Sequence, residues 1–263
     1  MARFFTLASG SSGNSTYLGS ASRGILIDAG ISCRAIGRAL ADHGMDFSQI
    51  EAVFVTHEHI DHIKGLLTLS KQRPHLPVYG SPGTIRYLAD HGSVAPGSYL
   101  IPMTGAVEAA GMVITPFHTS HDCAEGYGFR IRTADDRLVG IATDLGRVDQ
   151  PVREGLHGCE LVMLESNYDY RMLMAGGYPV YLKRRVASDN GHLCNDDCAA
   201  FLPELSAAGT TRFVLCHLSQ NNNLPSLAGG AASASLGRQG RIDGLDYQLY
   251  VAPRSTAGEM VVF

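Results

Sequence analysis

Short apolar runs separated by polar turns dominate the first part of the chain, and this pattern predicts strands. Apolar runs of about four to eight residues, bounded by Gly, Ser or Asp, are typical of strands that are buried on both faces. The pattern predicts strands over Phe4–Ala8, Thr16–Leu18, Gly24–Asp28, Ala52–Thr56, Val78–Gly80, Val113–Pro116, Gly128–Thr133, Leu138–Thr143, Leu161–Glu165, Arg212–Cys216, Tyr247–Ala252 and Met260–Phe263.

Helical periodicity and capping residues predict the remaining elements. Ser32 is suited to cap a helix that runs to His43 and is closed by Gly44. A proline inside a helix removes one hydrogen bond, so Pro203 is expected to bend or end the last of the predicted helices. The other predictions are helices over Ile63–Leu69, Pro82–His91 and Asn195–Ala208, a tight turn over Ser9–Ser15, and a loose helix or loop over Leu227–Gly240.

Strands come first and then mix with helices, and no linker or change of composition interrupts the order. This order predicts an α/β fold in one domain that covers residues 1–263. Apolar residues make up 45% and charged residues 17% of the 263 residues, which is typical of a globular protein. The net charge of −4 means that any binding of nucleic acid requires a local basic surface.

The compartment is predicted from the cysteines and from the N-terminal segment. The six cysteines are scattered and form no CxxC pair, so we expect reduced thiols rather than a disulfide framework. The sequence contains no signal-peptide core and no apolar run of about 18 residues. We therefore expect a cytoplasmic protein.

The densest chemical feature is the run His57–His62, which reads His-Glu-His-Ile-Asp-His and begins where a predicted strand ends. Alternate side chains at such a strand end can enter one cavity, so His57 and His59 suit one metal ion, and Asp61 and His62 suit a second. Imidazole together with carboxylate is typical of zinc sites and also fits manganese or iron.

The HxHxDH pattern resembles the signature of the metallo-β-lactamase superfamily, and the later motifs of that superfamily follow in order. Asp28 closes an apolar strand, Ser120–Asp122 resembles the third motif, Thr143–Asp144 the fourth, and His217 the fifth. The resemblance implies a four-layer αβ/βα sandwich with two divalent metal ions, zinc or manganese. It also implies that His121 completes the first metal site, that Asp144 bridges both ions and that His217 binds the second. His118 is a rival to His121.

Two further residues narrow the resemblance to the nuclease branch. Glu165 ends a predicted strand and His192 precedes a predicted helix, as a Glu and a His do in tRNA 3′-processing enzymes. The runs Leu7–Ser15, Asp28–Cys33 and His59–Gly65 look like the YycJ/WalJ group, which is regarded as DNA 5′-exonuclease-like. The resemblance implies that His192, oriented by Glu165, assists departure of the leaving group.

A basic cluster precedes the His192 segment and suits a phosphate backbone. Lys183, Arg184 and Arg185 are consecutive, and nearby tyrosines would permit base stacking, although a solvated charged segment explains the cluster as well. Asn222 lies in a polar run after His217 that either presents amides to substrate or forms a turn.

These observations predict a phosphodiesterase with two metal ions, in which a bridging hydroxide, oriented by Asp61, attacks phosphorus. A DNA exonuclease of 5′ to 3′ polarity is the function that the resemblance implies, with nucleic acid as the partner. The alternatives are an RNA-processing nuclease, a hydrolase of a small ester, thioester or cyclic phosphodiester, and a non-catalytic binding protein on the same scaffold.

Overall fold

The computed structural model describes residues 1–263 and contains two mixed β-sheets of seven strands each. In the first sheet the strand order is β14-β1-β2-β3-β4-β5-β6. Its strands are β1 (Arg3–Gly10), β2 (Gly13–Gly19), β3 (Gly24–Ile27), β4 (Ile50–Phe54), β5 (Val78–Gly80), β6 (Leu100–Pro102) and β14 (Val261–Val262).

The second sheet has the strand order β13-β12-β11-β10-β9-β8-β7. Strands β10 to β13 are parallel, whereas β7 to β10 pair antiparallel with one another. The strands are β7 (Val107–Ala109), β8 (Met112–His118), β9 (Tyr127–Arg132), β10 (Leu138–Ala142), β11 (Leu161–Glu165), β12 (Arg212–Cys216) and β13 (Gln248–Val251).

Helices connect the strands. They are α1 (Cys33–Asp42), α2 (Ile60–Ile63), α3 (Leu66–Gln72), α4 (Pro82–Asp90), α5 (Gln150–Leu156), α6 (Tyr170–Ala175), α7 (Val180–Val186), α8 (Asn195–Ala207) and α9 (Pro225–Gly237), with a 3₁₀ turn at Phe47–Gln49. None of them is both long and apolar enough to cross a membrane.

Alternating side chains place each sheet between two apolar layers. Phe4 points into the cluster between the two sheets, and Phe5 points into the cluster that β1 shares with α1, α3 and α4. In the second sheet, Met163 enters the central cluster and Val162 the cluster under α5, α8 and α9. Successive strand residues face opposite sides, so strands covered on both faces consist of continuous apolar runs. The predicted α/β sandwich of four layers is confirmed.

Several local predictions were wrong in detail. The turn predicted over Ser9–Ser15 is only two residues long, because β1 extends to Gly10 and β2 begins at Gly13. The single helix predicted over Ile63–Leu69 is two helices, α2 and α3. The two helices separate at Gly65, whose Cα lies so near the Ile31 carbonyl that a Cβ would come within 2.2 Å of its oxygen.

Two predictions about the later helices are also corrected. Helix α8 continues through Pro203 to Ala207, because Leu202 and Leu205 bury on the second sheet and this packing outweighs the missing hydrogen bond. Its cap is Cys194, whose sulfur accepts from the Asp197 amide, and Asn195 is the first residue of the helix. The segment left open as helix or loop is the regular helix α9.

Candidate metal centre

The His-rich run lies where β4 of the first sheet ends. His57 and His62 are buried, whereas His59 and Asp61 are partly exposed. The rings of His57 and His62 are 4.2 Å apart between centroids, and those of His57 and His59 are 4.6 Å apart. The short helix α2 begins within the run and brings Asp61 and His62 to the same side as His57.

The second sheet supplies the residues on the opposite side. His121 follows β8, Glu165 is the last residue of β11, and Asp144 and His217 follow β10 and β12. Because β10, β11 and β12 are parallel neighbours, their carboxyl ends meet at one edge of the sheet.

Three residues of the site adopt a left-handed backbone conformation that non-glycine residues rarely take. Their φ angles are 63° at Asp28, 54° at Asp144 and 54° at His217. Such conformations cost free energy and persist where the surrounding structure enforces them, commonly at functional sites.

The donor atoms fall into four overlapping sets, each with its atoms within 4.8 Å of one another, and two of these sets, which share no residue, form the two donor groups. Asp144 lies between the groups, with Oδ2 at 3.1 Å from His62 Nε2 and Oδ1 at 3.7 Å from His121 Nε2. The first group is His57, His59 and His121, and the second is Asp61, His62 and His217. The two remaining sets both contain Asp144: one adds His57 and His62, and the other adds Glu165, His192 and His217. All seven residues that the sequence predicted as metal ligands are therefore brought together; their role as ligands stays a prediction.

Outer hydrogen bonds determine which ring nitrogen points inward. His62 Nδ1 donates to Asp28 Oδ2 at 2.7 Å, and His121 Nδ1 donates to the Gly191 carbonyl at 2.8 Å. His217 Nδ1 lies 2.8 Å from Glu165 Oε1. In each case Nε2 is the nitrogen left for the interior, and outer partners of this kind fix the orientation of metal-binding histidines in proteins.

An unpartnered ring nitrogen and lowered histidine pKa values favour metal binding at this site. His57 Nε2 is buried and has no hydrogen-bond partner, although its Nδ1 lies 3.1 Å from the Thr56 hydroxyl. A buried ring nitrogen without a partner is costly, and a metal ion would satisfy it. Burial also lowers the pKa of His57 and of His121, which favours the neutral imidazole that metals require. The residues present therefore fit divalent metal ions.

Charges inside the site are strongly coupled. Burial opposes ionisation of Asp144, but the neighbouring His217 and His62 hold the pKa of this carboxyl well below its usual range. Burial likewise opposes protonation of His217, yet Asp144 and hydrogen bonds to Asp61 and Glu165 raise its pKa to about 10. The carboxylates thus make the interior suitable for positive charge, whether it is carried by protons or by metal ions.

Glu165 joins two histidines. It is fully buried, and its Oε1 lies 2.8 Å from the Nδ1 atoms of both His192 and His217. Its Oε2 accepts from the amides of Leu145 and Leu193 at 2.9 and 3.2 Å. The side chain of His192 keeps 21% of its surface exposed, with Nδ1 occupied by Glu165. The predicted pairing of Glu165 with His192 is therefore present in the structure.

The rival ligand His118 lies outside both donor groups. It is exposed at the end of β8, and its ring packs on Tyr127 with centroids 5.1 Å apart.

The structure places the four predicted substrate contacts in two different settings, three on a helix and one in the interior. Lys183, Arg184 and Arg185 lie on α7, a helix that the sequence did not predict; Arg184 and Arg185 are exposed. The Arg185 guanidinium pairs with Asp122, the residue after His121. Asn222 is only 2% exposed, and its carbonyl accepts from the Asp169 amide. A side chain so buried offers no surface to a macromolecule, so the expected substrate contact of Asn222 is corrected to an internal one.

Sequence reasoning missed Asn14, which lies at the centre of the site. Its Nδ2 is 3.1 Å from His62 Nε2 and 3.4 Å from Asp61 Oδ2, while its Oδ1 accepts from the Gly10 amide at 2.9 Å. The Ser9 hydroxyl also reaches the site and accepts from the His217 amide at 2.9 Å. The Ser/Gly-rich composition was explained by a turn, or by backbone amides that face a phosphate, and gave no role to the Asn14 side chain. The available signal was a carboxamide within a run of small residues beside an apolar strand.

Comparison with known proteins identifies the family. The model of the β-lactamase superfamily domain matches residues 23–218. The chain is 35% identical over 240 residues to exodeoxyribonuclease YycJ of Bacillus anthracis, with 90% of each chain covered. It is 31% identical over 259 residues to exodeoxyribonuclease WalJ of Streptococcus pneumoniae, with 97% of this chain and 96% of the relative covered.

The fold is shared with solved structures of much lower identity. Zn²⁺-bound PqqB of Methylobacterium extorquens is 19% identical and superposes with a TM-score of 0.73 over 99% of this chain and 100% of that protein. The chain therefore belongs to the β-lactamase superfamily, in the family of the YycJ and WalJ proteins, and is a metal-dependent hydrolase of the nuclease or phosphodiesterase class.

Proposed function

We propose that this protein is a DNA exonuclease that hydrolyses phosphodiester bonds at a centre of two divalent metal ions. The observation that carries the proposal is the position of Asp144, whose carboxylate oxygens lie 3.1 Å from His62 Nε2 of the second group and 3.7 Å from His121 Nε2 of the first. The relatives named exodeoxyribonucleases support DNA as the substrate. Digestion from 5′ to 3′ is the polarity expected from the resemblance to their group.

Each donor group would hold one ion. His57, His59 and His121 would bind the first, Asp61, His62 and His217 would bind the second, and Asp144 would contact both. Ions bound there would activate a water molecule at neutral pH and offset negative charge on the phosphate. Imidazole and carboxylate donors fit zinc and manganese alike.

The protein's own side chains would orient the reactants and move a proton. The Asp61 carboxylate reaches the centre next to His217 Nε2, 3.4 Å away, and would orient the attacking water. His192 has its Nδ1 held by Glu165, so its other nitrogen would donate a proton to the departing oxygen. Burial disfavours the imidazolium, but Glu165 raises the pKa of His192, which keeps this proton available near neutral pH.

Helix α7, together with Tyr170 at the start of α6, would hold the nucleic acid. The exposed Arg184 provides charge for a phosphate, and the exposed rings of Tyr170 and Tyr181, 54% and 74% exposed, provide stacking surfaces. The pair between Arg185 and Asp122 connects this helix to the segment that carries His121. A cationic and aromatic surface beside the metal centre would bind the phosphates and the bases of a single-stranded DNA end.

The test is digestion of end-labelled single- and double-stranded DNA, and of matched RNA, by purified protein with added Mn²⁺ or Zn²⁺. We expect stepwise loss of nucleotides from one end of DNA, and none with the His59→Ala variant. Preference for RNA would replace the DNA assignment. Failure to cut any nucleic acid by protein that holds its metal, together with hydrolysis of a small phosphodiester, would establish a small-substrate hydrolase instead.

A further inference from the structure

A cavity of about 540 Å³, lined by none of the donor residues, takes no part in the mechanism above. It is bounded by the tip of the β1–β2 hairpin, the polar run after His217, the start of α9 and the segment after β13. No acidic residue lines it, and the residues that matter for its chemistry are Ser11, Ser12, Gln220, Pro225, Arg254 and Ser255.

Arg254 gives this cavity a fixed positive charge. Its Nη2 donates to the Asn223 carbonyl at 2.7 Å, which holds the guanidinium in place. Its Nε is buried without a hydrogen-bond partner, and no carboxylate lies within ion-pair distance of the side chain. A guanidinium that is held by one bond and lacks a counter-charge suits an anion with several oxygens, because Arg binds phosphate through two parallel hydrogen bonds.

The start of α9 also borders the cavity and adds to its positive potential. This helix is 13 residues long, Pro225 occupies its first turn, and no side chain caps it. Pro225 has no N–H, and the Leu227 amide donates to the Leu224 carbonyl, so Ser226 has the one free amide of this first turn. The start of a helix also carries a partial positive charge, which favours a bound anion. The hydroxyls of Ser11, Ser12 and Ser255 and the carboxamide of Gln220 surround the cavity with neutral hydrogen-bond donors.

The cavity is connected to the metal centre by both of its flanking segments. The hairpin that presents Ser11 and Ser12 also carries Asn14, whose Nδ2 is 3.4 Å from Asp61 Oδ2. A strand rises about 3.3 Å per residue, so the backbone of Ser12 lies within roughly 7 Å of that of Asn14. Gln220 is three residues after His217 in the sequence. The two segments that border the cavity therefore continue within a few residues into Asn14 and His217 of the proposed metal centre.

We propose that this cavity is a phosphate-binding subsite that receives a backbone phosphate of the nucleic acid next to the scissile one. The inference rests on the proposed nuclease function, and it adds a second cationic contact on the side of the centre formed by the β1–β2 hairpin. The Arg254 guanidinium binds the phosphate oxygens, the partial positive charge at the start of α9 adds to the attraction, and the serine hydroxyls complete the shell.

The test measures binding separately from cleavage. Fluorescence anisotropy follows the binding of a labelled phosphorothioate oligonucleotide to the metal-loaded protein over a range of NaCl concentrations. The variants are Arg254→Ala, Arg254→Lys and Ser12→Glu, the last of which introduces a like charge at an exposed turn without touching the core. The control is Arg23→Ala, an exposed arginine in the β2–β3 connection at the far end of the same hairpin.

We expect Arg254→Ala and Ser12→Glu to raise the Kd about tenfold, which corresponds to one charge-assisted hydrogen bond. Loss of one phosphate contact lowers the salt dependence of binding by about one unit in log Kd against log salt concentration. Arg254→Lys should retain most of the affinity, and Arg23→Ala should match the unmodified protein.

An unchanged Kd and salt dependence in both Arg254→Ala and Ser12→Glu would overturn the subsite, as would an unmodified protein that binds no oligonucleotide. If Arg254→Ala proves unfolded by circular dichroism, Ser12→Glu alone decides. Protein that binds through Arg254 but cuts neither DNA nor RNA would refute the proposed function and leave the subsite standing.

Discussion

Among single residues, Glu165 organises one side of the proposed metal centre. One of its oxygens contacts both His192 and His217, and the other accepts two backbone amides. Burial opposes its ionisation, yet His192 and His217 lower the pKa of this carboxyl. The same carboxylate thereby orients a proposed metal ligand and a proposed proton donor, so the two imidazole rings keep a fixed orientation relative to each other.

Substitution of His192 by Ala tests its role as proton donor. We expect kcat to fall by about 10²–10⁴-fold, the range typical of a lost general acid, with metal content unchanged. Metal content measured by mass spectrometry beside single-turnover kinetics distinguishes the two possible roles. His118→Ala is the matched control, because His118 is exposed and lies outside the donor groups. Loss of metal in the His192 variant would make His192 a ligand rather than a proton donor.

The change Glu165→Gln tests whether one carboxylate serves both histidines. Gln retains the shape of the side chain but loses the charge that supports His192 and His217. We expect metal affinity to fall by about 10–100-fold, as is typical for loss of an outer carboxylate, and kcat to fall even when the centre is saturated. Competition with a chromogenic chelator measures the affinity. An unaffected affinity would show that His217 does not depend on Glu165.

Residue type and spacing brought forward His57, His59, Asp61 and His62. The resemblance to the superfamily supplied the other proposed site residues, namely His121, Asp144, Glu165, His192 and His217. The signal was local, since an imidazole or carboxylate at a strand end is uncommon in a purely structural role. Asn14 and Ser9 escaped because their part depends on contacts with residues 48 and 208 positions away. The burial of Asn222 was equally beyond a single sequence, because a polar run says nothing about which of its members turns inward.

At the scale of elements, the β1–β2 hairpin is a structural support of the metal centre. Its two strands are buried almost throughout, and its register pairs Ser9 with Asn14, so one rung of the ladder carries both of its contacts with the site. Gly30 allows α2 to approach this hairpin, since a Cβ there would lie 1.6 Å from the Asp61 carbonyl oxygen. The hairpin therefore has a role that its turn-like composition did not indicate.

The Asn14→Ala variant tests this support. Removal of the carboxamide frees Asp61 and His62 from one of their partners. We expect binding of the second metal equivalent to weaken by about tenfold or more, with the first equivalent retained. Isothermal titration of the metal-free protein resolves the two equivalents, and Asn221→Ala, at an exposed position, is the control. Equal weakening of both equivalents would contradict a role specific to the second group.

Helix α8 continues through Pro203, although this proline was expected to bend or end it. The substitution Pro203→Ala restores a helical N–H and removes the clash with the carbonyl of Ala199, while the buried neighbours Leu202 and Leu205 stay in place. We expect the free energy of unfolding to rise by about 1–3 kcal/mol, with activity unchanged. Denaturant titration measures the change. A lower free energy of unfolding in the variant would mean that packing of the Pro203 ring stabilises the protein by more than its clash and missing hydrogen bond destabilise it.

At the scale of the whole molecule, the proposed metal centre connects the two sheets. One part of the donor set follows β4 of the first sheet, and the other part follows β8, β10 and β12 of the second. The apolar runs predicted the strands of an α/β fold, and the resemblance to the superfamily implied their four-layer arrangement. It could not predict the edge strands β6 and β7, which are only three residues long and half exposed, so their pattern resembles that of loops.

Removal of metal should therefore loosen the contact between the sheets. At a metal concentration about 1,000-fold above Kd, binding contributes about 4 kcal/mol, and each kcal/mol shifts Tm by roughly 2–4 °C in proteins of comparable size. We expect chelation to lower Tm by roughly 8–16 °C and to accelerate hydrogen exchange after β4, β10 and β12. The core strands β3 and β11 should keep their protection, because their burial does not depend on the ions.

The double variant His59→Ala, Asp61→Ala provides the control for this prediction, since it removes one donor from each group without altering a fully buried side chain. Its Tm should be insensitive to chelator and close to that of the metal-free unmodified protein. Such agreement would attribute the stabilisation to ions that link the sheets. A chelator effect of equal size in the variant would instead place the stabilising ion elsewhere in the molecule, and the centre would then bind metal for chemistry alone.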